Sequence, residues 1–128
     1  KKRLQKQDLE SIVSKINSAG THQNDKIAIP FLEGLEFIPV RDIIFCLAEN
    51  NYTQIFLSDN TKRIVSKNLK EIEKLMPAET FFRVHNSYLI NLNYVHKYVR
   101  TDGGYLVMTN GERVKISRSK KDLLLNKL

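Results

Sequence analysis

The chain has 128 residues and a net charge of +7, and hydrophobic residues make up 41% of it. That size and apolar content predict one folded domain with its own core, not a disordered chain. The apolar runs are too short to span a membrane and no signal peptide begins the sequence, so no membrane insertion is expected. The single cysteine, Cys46, excludes an internal disulfide and favours a reducing cytoplasm.

The charge is unevenly distributed along the chain. Residues 83–128 contain nine Lys or Arg against three Asp or Glu, whereas residues 21–82 contain seven against nine. Basic charge concentrated in one region is typical of a surface that binds a polyanion. A solvated basic surface without a ligand is the alternative, and composition alone does not choose between the two.

The N-terminal segment has the spacing of an amphipathic helix. Apolar residues from Leu9 to Ile16 form one stripe within residues 1–19, and the polar run 20–25 reads as a linker. A short helix with a single apolar stripe is not stable alone. It must dock on this domain, pair with a second copy or continue from another domain. We expect residues 1–25 to pair or to connect a preceding receiver or sensor domain to a second domain over 26–128.

From Lys26 onward the pattern changes to short β-rich runs separated by Gly, Pro and Asn turns. Strands are predicted over 26–31, 34–40, 43–48, 53–57, 61–65, 94–100, 105–109 and 113–116. Asn110-Gly111 is the strongest hairpin signal in the chain. Strands this short and this closely spaced predict a mainly β fold of small antiparallel sheets.

Two short helices are predicted among these strands. In the first, over 68–76, Asn68 and Glu71 have the spacing of a capping box, and Pro77 ends the helix. In the second, over 119–128, Ser119 is predicted to cap the N-terminus. Its apolar positions, predicted to face inward, are Leu123, Leu124 and Leu128.

Residues 81–92 combine core anchors with polar side chains. The polar members of this apolar stretch are Arg83, His85, Asn86, Ser87 and Asn91. Burying such groups without a partner costs about 1–3 kcal/mol each, so each must form hydrogen bonds or face a ligand. For His85, flanked by buried positions, we expect an internal hydrogen bond.

Residues with catalytic or metal-binding chemistry are scattered. The three histidines and Cys46 show no pair at ligand spacing, so no metal is expected. His85 and Ser87 lack a third group to orient the base, and Gly103-Gly104 has no following helix that could bind a phosphate. We therefore expect neither an enzyme nor a cofactor.

The basic region also contains hydrogen-bonding side chains suited to nucleic acid. In Ser117-Arg118-Ser119-Lys120-Lys121, small hydroxyls and lysines suit phosphates, and Arg118 can bridge guanine O6 and N7. Asn86 can pair with an adenine edge or a phosphate. The alternative is a turn asparagine whose bonds are satisfied internally, together with exposed charge.

The motif Phe81, Arg83, His85, Ser87 and Asn91, with the spacing F-x-R-x-H-x-S-x-x-x-N, resembles the core of the LytTR family. These are the LytR/AgrA-type DNA-binding domains of bacterial response regulators. The resemblance extends over residues 26–128 and includes the segments 38–45, 49–52, 68–72 and 114–118. It implies an elongated fold of small antiparallel sheets whose loops and strand ends enter successive major grooves of duplex DNA.

The resemblance also implies which residues contact DNA. The family's three common contact positions correspond to Tyr52 with Asn50 and Asn51 beside it, to Asn86 with Ser87 beside it, and to Arg118. Many members have arginine at the position of Asn86, so the shorter, uncharged side chain is a departure from the family. Phosphate contacts are expected at Lys115, Lys120 and Lys121. Arg83 and Lys97 are expected to be phosphate contacts or solvated charges, not base readers.

The resemblance, together with the basic C-terminal region, implies the output domain of a cytoplasmic bacterial response regulator. Two copies would bind direct repeats in promoters, and a sensor histidine kinase would act through a receiver domain. One alternative is a protein-interaction module whose basic face meets an acidic partner. Another is a single-stranded RNA binder that stacks bases on Tyr52, Tyr98 and Tyr105.

Overall fold

The computed structural model describes residues 26–128, so the predicted helix at 1–19 lies outside the described residues. The strands are β1 Lys26–Phe31, β2 Gly34–Pro39, β3 Ile43–Glu49, β4 Tyr52–Leu57, β5 Lys62–Val65, β6 Phe81–His85, β7 Tyr88–Asn91, β8 Val95–Val99, β9 Tyr105–Met108 and β10 Arg113–Lys115. The helices are α1 Leu69–Leu75 and α2 Lys121–Lys127. Across this described range, no helix has the length and apolar character needed to cross a membrane.

The strands form three small antiparallel sheets, which confirms the predicted fold class. β1 and β2 form a hairpin, and β8, β9 and β10 form a three-stranded sheet in the order β10-β9-β8. The five-stranded sheet has the order β5-β4-β3-β7-β6, with β3 at its centre. β3 therefore pairs with the next strand of the chain on one side and with the distant β7 on the other.

The five-stranded sheet has a hydrophobic core on each face. On one face, the β1–β2 hairpin and α1 contribute Ile27, Ile38, Leu69 and Ile72, which pack with Ile43, Cys46 and Ile55 of the sheet. On the other face, the three-stranded sheet and α2 contribute Leu106, Met108, Val114 and Leu124, which pack with Phe45, Val84 and Ile90. The continuous apolar run of β3 follows from this arrangement, because a strand covered on both faces has no solvent-facing side.

The first predicted helix is confirmed together with its cap. The Asn68 side chain accepts a 2.9 Å hydrogen bond from the Glu71 N–H, and the Glu71 carboxylate accepts a 3.2 Å bond from the Asn68 N–H. Leu69 and Ile72 are buried. This reciprocal capping satisfies two donors that the helix start leaves without partners, and an N-cap of this kind stabilises a fold by about 1 kcal/mol.

The C-terminal helix differs from its prediction in two respects. Ser119 does not cap it, because this residue lies inside a 3-10 turn at Arg118–Lys120 that precedes α2. Of the three leucines predicted to face inward, Leu124 is fully buried, but Leu123 and Leu128 are each 54% exposed. A seven-residue helix has two turns, and its contact with the core is made by the one leucine at the centre of that face.

Asn91, a polar member of the 81–92 motif, connects β7 to β3. Its side chain is 1% exposed. The Nδ2 group donates to the carbonyl oxygen of Ile43 over 3.0 Å, and Oδ1 accepts from the Asn93 N–H at 2.9 Å. The expectation that buried polar groups of this motif form hydrogen bonds is confirmed at this position.

Candidate nucleic-acid interface

The first predicted contact segment is the turn between β3 and β4. Glu49 pairs with Tyr52 across the two strands, so Asn50 and Asn51 form a two-residue turn whose side chains are exposed. Asn50 has a φ of 55°, in the left-handed region that asparagine tolerates better than most residues. The Gln54 amide donates to the Glu49 carboxylate and fixes one side of the turn. Tyr52, half-buried, begins β4.

The second predicted contact segment is the turn between β6 and β7. The Ser87 N–H donates to Nδ1 of His85 over 3.0 Å, which confirms the internal hydrogen bond expected for His85. Arg83 donates to the carbonyl oxygens of His85, at 3.3 Å, and of Asn86, at 2.6 Å. Its third bond joins Nη1 to the Glu73 carboxylate of α1 at 3.3 Å. These contacts hold the turn backbone, while the Asn86 side chain is exposed.

These two turns lie side by side at one end of the five-stranded sheet. Leu47 of β3 pairs with Tyr88 of β7, and the next residue, Ala48, donates from its N–H to the Ser87 carbonyl oxygen over 2.8 Å. The pairing of β3 with β7 therefore brings together two turns that are far apart in the sequence.

The third predicted segment, the basic loop before α2, is attached to the same end. The Ser117 N–H donates to the carbonyl oxygen of Val84 over 2.7 Å. This hydrogen bond attaches the start of the basic loop to β6 and places Arg118, which is exposed, close to the β6–β7 turn. Leu124 of α2, buried beside Val84, anchors the segment that follows the loop. We call the three segments 49–52, 86–87 and 117–121 the recognition end.

The two lysines of the basic loop lie over aromatic rings. Lys120 Nζ is 5.9 Å from the Phe82 ring centroid, and Lys121 Nζ is 5.9 Å from that of Tyr98. Such cation–π contacts restrict a long side chain while its ammonium keeps its charge. Both lysines are half-buried, and these ring contacts give their charged groups defined positions near Phe82 and Tyr98.

Lys97 and Lys115 lie on the three-stranded sheet, outside the recognition end. Both are exposed, on β8 and β10 respectively. Arg113, which the sequence-based site did not include, lies on the same face, with its guanidinium carbon 4.9 Å from the Tyr105 ring centroid. The alternation of Arg113, Val114 and Lys115 along β10 indicates that Arg113 belongs on the same exposed face as Lys115, since residues two apart on a strand share a face.

The tyrosines proposed for RNA stacking do not form one surface. Tyr98 pairs with Leu106 and packs with the core, whereas Tyr105 pairs with Lys115 on the opposite face of the same sheet. Stacking successive bases requires rings arranged along one groove. Tyr98 and Tyr105 are therefore unsuited to act together as a base-stacking platform.

One ring nitrogen of His85, beside the recognition end, is bonded to the backbone. His85 Nδ1 accepts from the backbone N–H of Ser87, so that nitrogen does not serve as a base for the serine hydroxyl. In the part of the chain that the structure describes, no three His, Cys, Asp or Glu side chains are grouped to hold a metal ion.

Tyr88, at the start of β7, has a shifted pKa. Burial raises the pKa of its phenol, and the negative charge of Glu112 makes a smaller contribution in the same direction.

The sequence model of the LytTr DNA-binding domain family matches residues 33–128, three quarters of the chain. The chain belongs to this family. The resemblance seen in the 81–92 motif is thereby confirmed, and residues 33–128 form a domain of a DNA-binding family.

Several proteins contain regions similar to this LytTr domain. The chain is 29% identical over 121 residues to the sensory transduction protein LytT of Bacillus subtilis, covering 92% of this chain and 48% of LytT. It is 29% identical over 87 residues to the CO-responsive transcriptional regulator RcoM of Rhodospirillum rubrum, covering 67% of this chain and 36% of RcoM. The chain thus spans about half the length of LytT and about a third of RcoM.

A solved LytTr DNA-binding domain from Bacillus cereus has the same fold. The two structures superpose with a TM-score of 0.69, covering 80% of this chain and 95% of the other, at 23% sequence identity. At that identity the likeness concerns the fold of the LytTr domain, and the contact residues have to be argued from this chain's own side chains.

Proposed function

We propose that this LytTr domain binds specific duplex DNA sites through its recognition end and regulates transcription as the output domain of a bacterial cytoplasmic response regulator. The observation that carries the proposal is the pair of backbone hydrogen bonds Ala48–Ser87 and Ser117–Val84. They bring two turns and a basic loop together at one end of the five-stranded sheet. Loops held by a rigid scaffold are well suited to enter a DNA groove without large ordering costs.

The proposed contacts fall into two chemical groups. Base edges would be read by Arg118, by Asn86 with Ser87, and by Tyr52 with Asn50 and Asn51. Phosphates would be bound by Lys97, Lys115, Lys120 and Lys121. This division follows from reach and charge: an exposed arginine or amide at a turn can form paired hydrogen bonds to a base, whereas lysines act as point charges toward phosphates.

Arg83 has a different proposed role. Its guanidinium already binds two turn carbonyls and the Glu73 carboxylate, so we infer that it positions Asn86 and does not read DNA itself. Its side chain remains 27% exposed, and the phosphate contact expected from the sequence stays a prediction.

The wider regulatory setting is also part of the proposal. A single domain with three base-reading segments would specify a short site, and two copies on direct repeats would raise specificity and affinity through their linkage. The description of LytT as a sensory transduction protein supports control by a sensor histidine kinase acting on a receiver domain. We propose that residues 1–25 connect such a domain to 26–128.

A selection from random duplex DNA tests the function. The purified chain is incubated with a random-duplex library, the bound fraction is sequenced, and the selection is repeated with Arg118→Ala. Arg41→Ala is the matched control, because Arg41 is also exposed but precedes β3, at the opposite end of that strand from Ala48. β3 has seven residues, so its two ends are about 20 Å apart.

We expect the wild type and Arg41→Ala to enrich the same repeated motif, with one or more positions losing definition in Arg118→Ala. Affinity for the selected site should fall by about 1–3 kcal/mol in Arg118→Ala, and affinity for unrelated duplex much less. Absence of any enriched motif, with binding abolished by moderate salt, would refute sequence-specific recognition. Tighter binding to single-stranded RNA than to duplex would favour the RNA alternative instead.

A further inference from the structure

The face of the three-stranded sheet that points away from the core is basic. Cross-strand partners share a face, and the pairs Lys97–Val107, Arg113–Val107 and Lys115–Tyr105 all lie on this side. The opposite side carries the buried Leu106, Met108 and Val114. We call the side with Lys97, Tyr105, Arg113 and Lys115 the outer face.

Arg113 has a defined position on the outer face. Its guanidinium carbon lies 4.9 Å from the centroid of the Tyr105 ring, within the range of a cation–π contact. The ion pairs in the described part of the chain are Arg63–Glu36 and Arg83–Glu73. Arg113 thus forms no ion pair with an acidic side chain of residues 26–128. A guanidinium stacked on a ring still has N–H groups along its edge that can bind an anion in a paired geometry.

The outer face continues into the recognition end. An open cleft of about 450 Å³ is lined by Tyr105, Arg113 and Lys115 of the outer face and also by His85 and Ser117. His85 directly precedes the β6–β7 turn, and Ser117 directly precedes Arg118. The negative charge beside the cleft comes from Asp102, which lines it, and from Glu112, whose charge acts on Tyr88.

We propose that the outer face binds the phosphate backbone of the duplex whose bases meet the recognition end, with Arg113 as a direct contact held in place by Tyr105. This inference rests on the proposed function and adds two residues to it. A flat strand face carrying three separated cations suits a phosphate backbone, since reading a base edge requires a segment that projects into the groove. Tyr105 is a positioning residue, because it acts through Arg113.

Salt dependence distinguishes a phosphate contact from other roles. The logarithm of the binding constant falls with the logarithm of salt concentration by about 0.9 for each phosphate neutralised. We therefore expect Arg113→Gln to reduce the slope by about 1 and the affinity by roughly tenfold at about 0.1 M salt, on selected and unrelated duplexes alike. Arg41→Gln, which removes the same charge from an exposed residue outside the outer face and the recognition end, should leave the slope unchanged.

Variants of Tyr105 test whether the ring holds the arginine. Tyr105→Phe keeps the aromatic face and should retain wild-type affinity, whereas Tyr105→Leu should lower the affinity. If Tyr105 acts through Arg113, the double variant Tyr105→Leu with Arg113→Gln should bind no more weakly than Arg113→Gln alone. In urea denaturation, each variant should keep a free energy of unfolding close to that of the wild type, since both side chains lie on the outer face of the sheet.

The outcomes separate this inference from the proposed function. An unchanged salt slope in Arg113→Gln, with a specific loss in Arg118→Ala, would overturn the inference and leave the proposed function standing. A loss in Arg113→Gln confined to one DNA sequence would make Arg113 a base reader and would also overturn it. A wild-type protein that binds no duplex would overturn both.

Discussion

The guanidinium of Arg83 donates from Nη2 to the backbone carbonyl oxygen of Asn86 over 2.6 Å, across the turn between β6 and β7. The same side chain reaches His85 and Glu73, so it joins the turn to α1. We predict that Arg83→Ala lowers the free energy of unfolding by about 1–3 kcal/mol, because charged donors are removed from partners at the turn. Urea denaturation measures the loss, and amide hydrogen exchange at Ser87 should accelerate.

The companion variant Arg83→Lys keeps the charge but cannot form the same fork of hydrogen bonds. We expect its stability to lie between those of the wild type and Arg83→Ala. If Arg83→Ala unfolds like the wild type but binds DNA weakly, the residue is a direct contact and the positioning role is wrong.

Asn86→Ala should leave the fold intact and weaken DNA binding. The turn uses the backbone carbonyl of Asn86, which the substitution keeps, while the side chain is exposed and available to a ligand. We expect a loss of about 1–3 kcal/mol on the selected site if the amide reads a base. Fluorescence anisotropy with matched and scrambled duplexes measures it, and equal affinity of wild type and variant for both would exclude Asn86 from the interface.

Asn91→Ala should be strongly destabilising because the residue is nearly inaccessible to water. Its amide satisfies the Ile43 carbonyl and the Asn93 N–H, and removal leaves both without their partner inside the protein. We predict a decrease in unfolding free energy of about 2–4 kcal/mol, measured by urea denaturation.

Asn91→Asp keeps the shape of the side chain but removes its N–H donor, so it tests the hydrogen bonds apart from the packing. The carboxylate can still accept from Asn93 but cannot donate to Ile43, so we expect it to be at least as destabilising as alanine above neutral pH. Wild-type stability in either variant would show that the buried hydrogen bonds of Asn91 are unimportant to the fold.

The burial of Cys46 can be tested by the pH dependence of the free energy of unfolding and by the reactivity of its thiol. The thiol is fully buried, and burial raises its pKa well above the ordinary value of 9.0. The unfolded chain therefore loses this proton at lower pH than the folded one, so folding is progressively disfavoured as pH rises above about 9. Relative to Cys46→Ala, the wild type should lose about 1.4 kcal/mol of stability per pH unit there.

Thiol labelling gives an independent measurement of the same burial. We expect the native protein to resist alkylation at pH 8 and to react fully in denaturant, since the thiolate is the reactive form. Rapid labelling of the native state, or parallel pH profiles for wild type and Cys46→Ala, would contradict the placement of this residue in the core.

Local chemistry made most of the strands and α1 predictable. Asn68, Glu71 and Pro77 mark the start and end of α1. The hairpin that Asn110-Gly111 predicts forms between β9 and β10, with Gly111 at a φ of 89° in its connection. The last helix was less predictable because Ser119 has the chemistry of a cap, whereas the backbone forms a 3-10 turn there. Leu123 and Leu128 match a helical stripe, yet α2 is too short to bury them.

The assembly of the candidate site was not predictable from local pattern. Nothing in the segments around Asn50 and Asn86 indicates that they are neighbours, because their proximity depends on the pairing of β3 with β7. The partner of Arg113 was missed for the same reason, since Tyr105 lies on another strand. Charge distribution located the basic region, and alternation along β10 placed Arg113 and Lys115 on one face. Only the tertiary fold showed that Lys97 and Tyr105 share that face.

The two backbone bonds at the recognition end join residues far apart in the sequence: Ala48 with Ser87, 39 positions away, and Val84 with Ser117, 33 positions away. Long-range contacts of this kind form late in folding, because a long loop must close before any of them is made. The recognition end should thus be completed only after the hairpins have formed. A partly folded chain would carry the same basic residues but would not bring the three segments together at one end of the sheet.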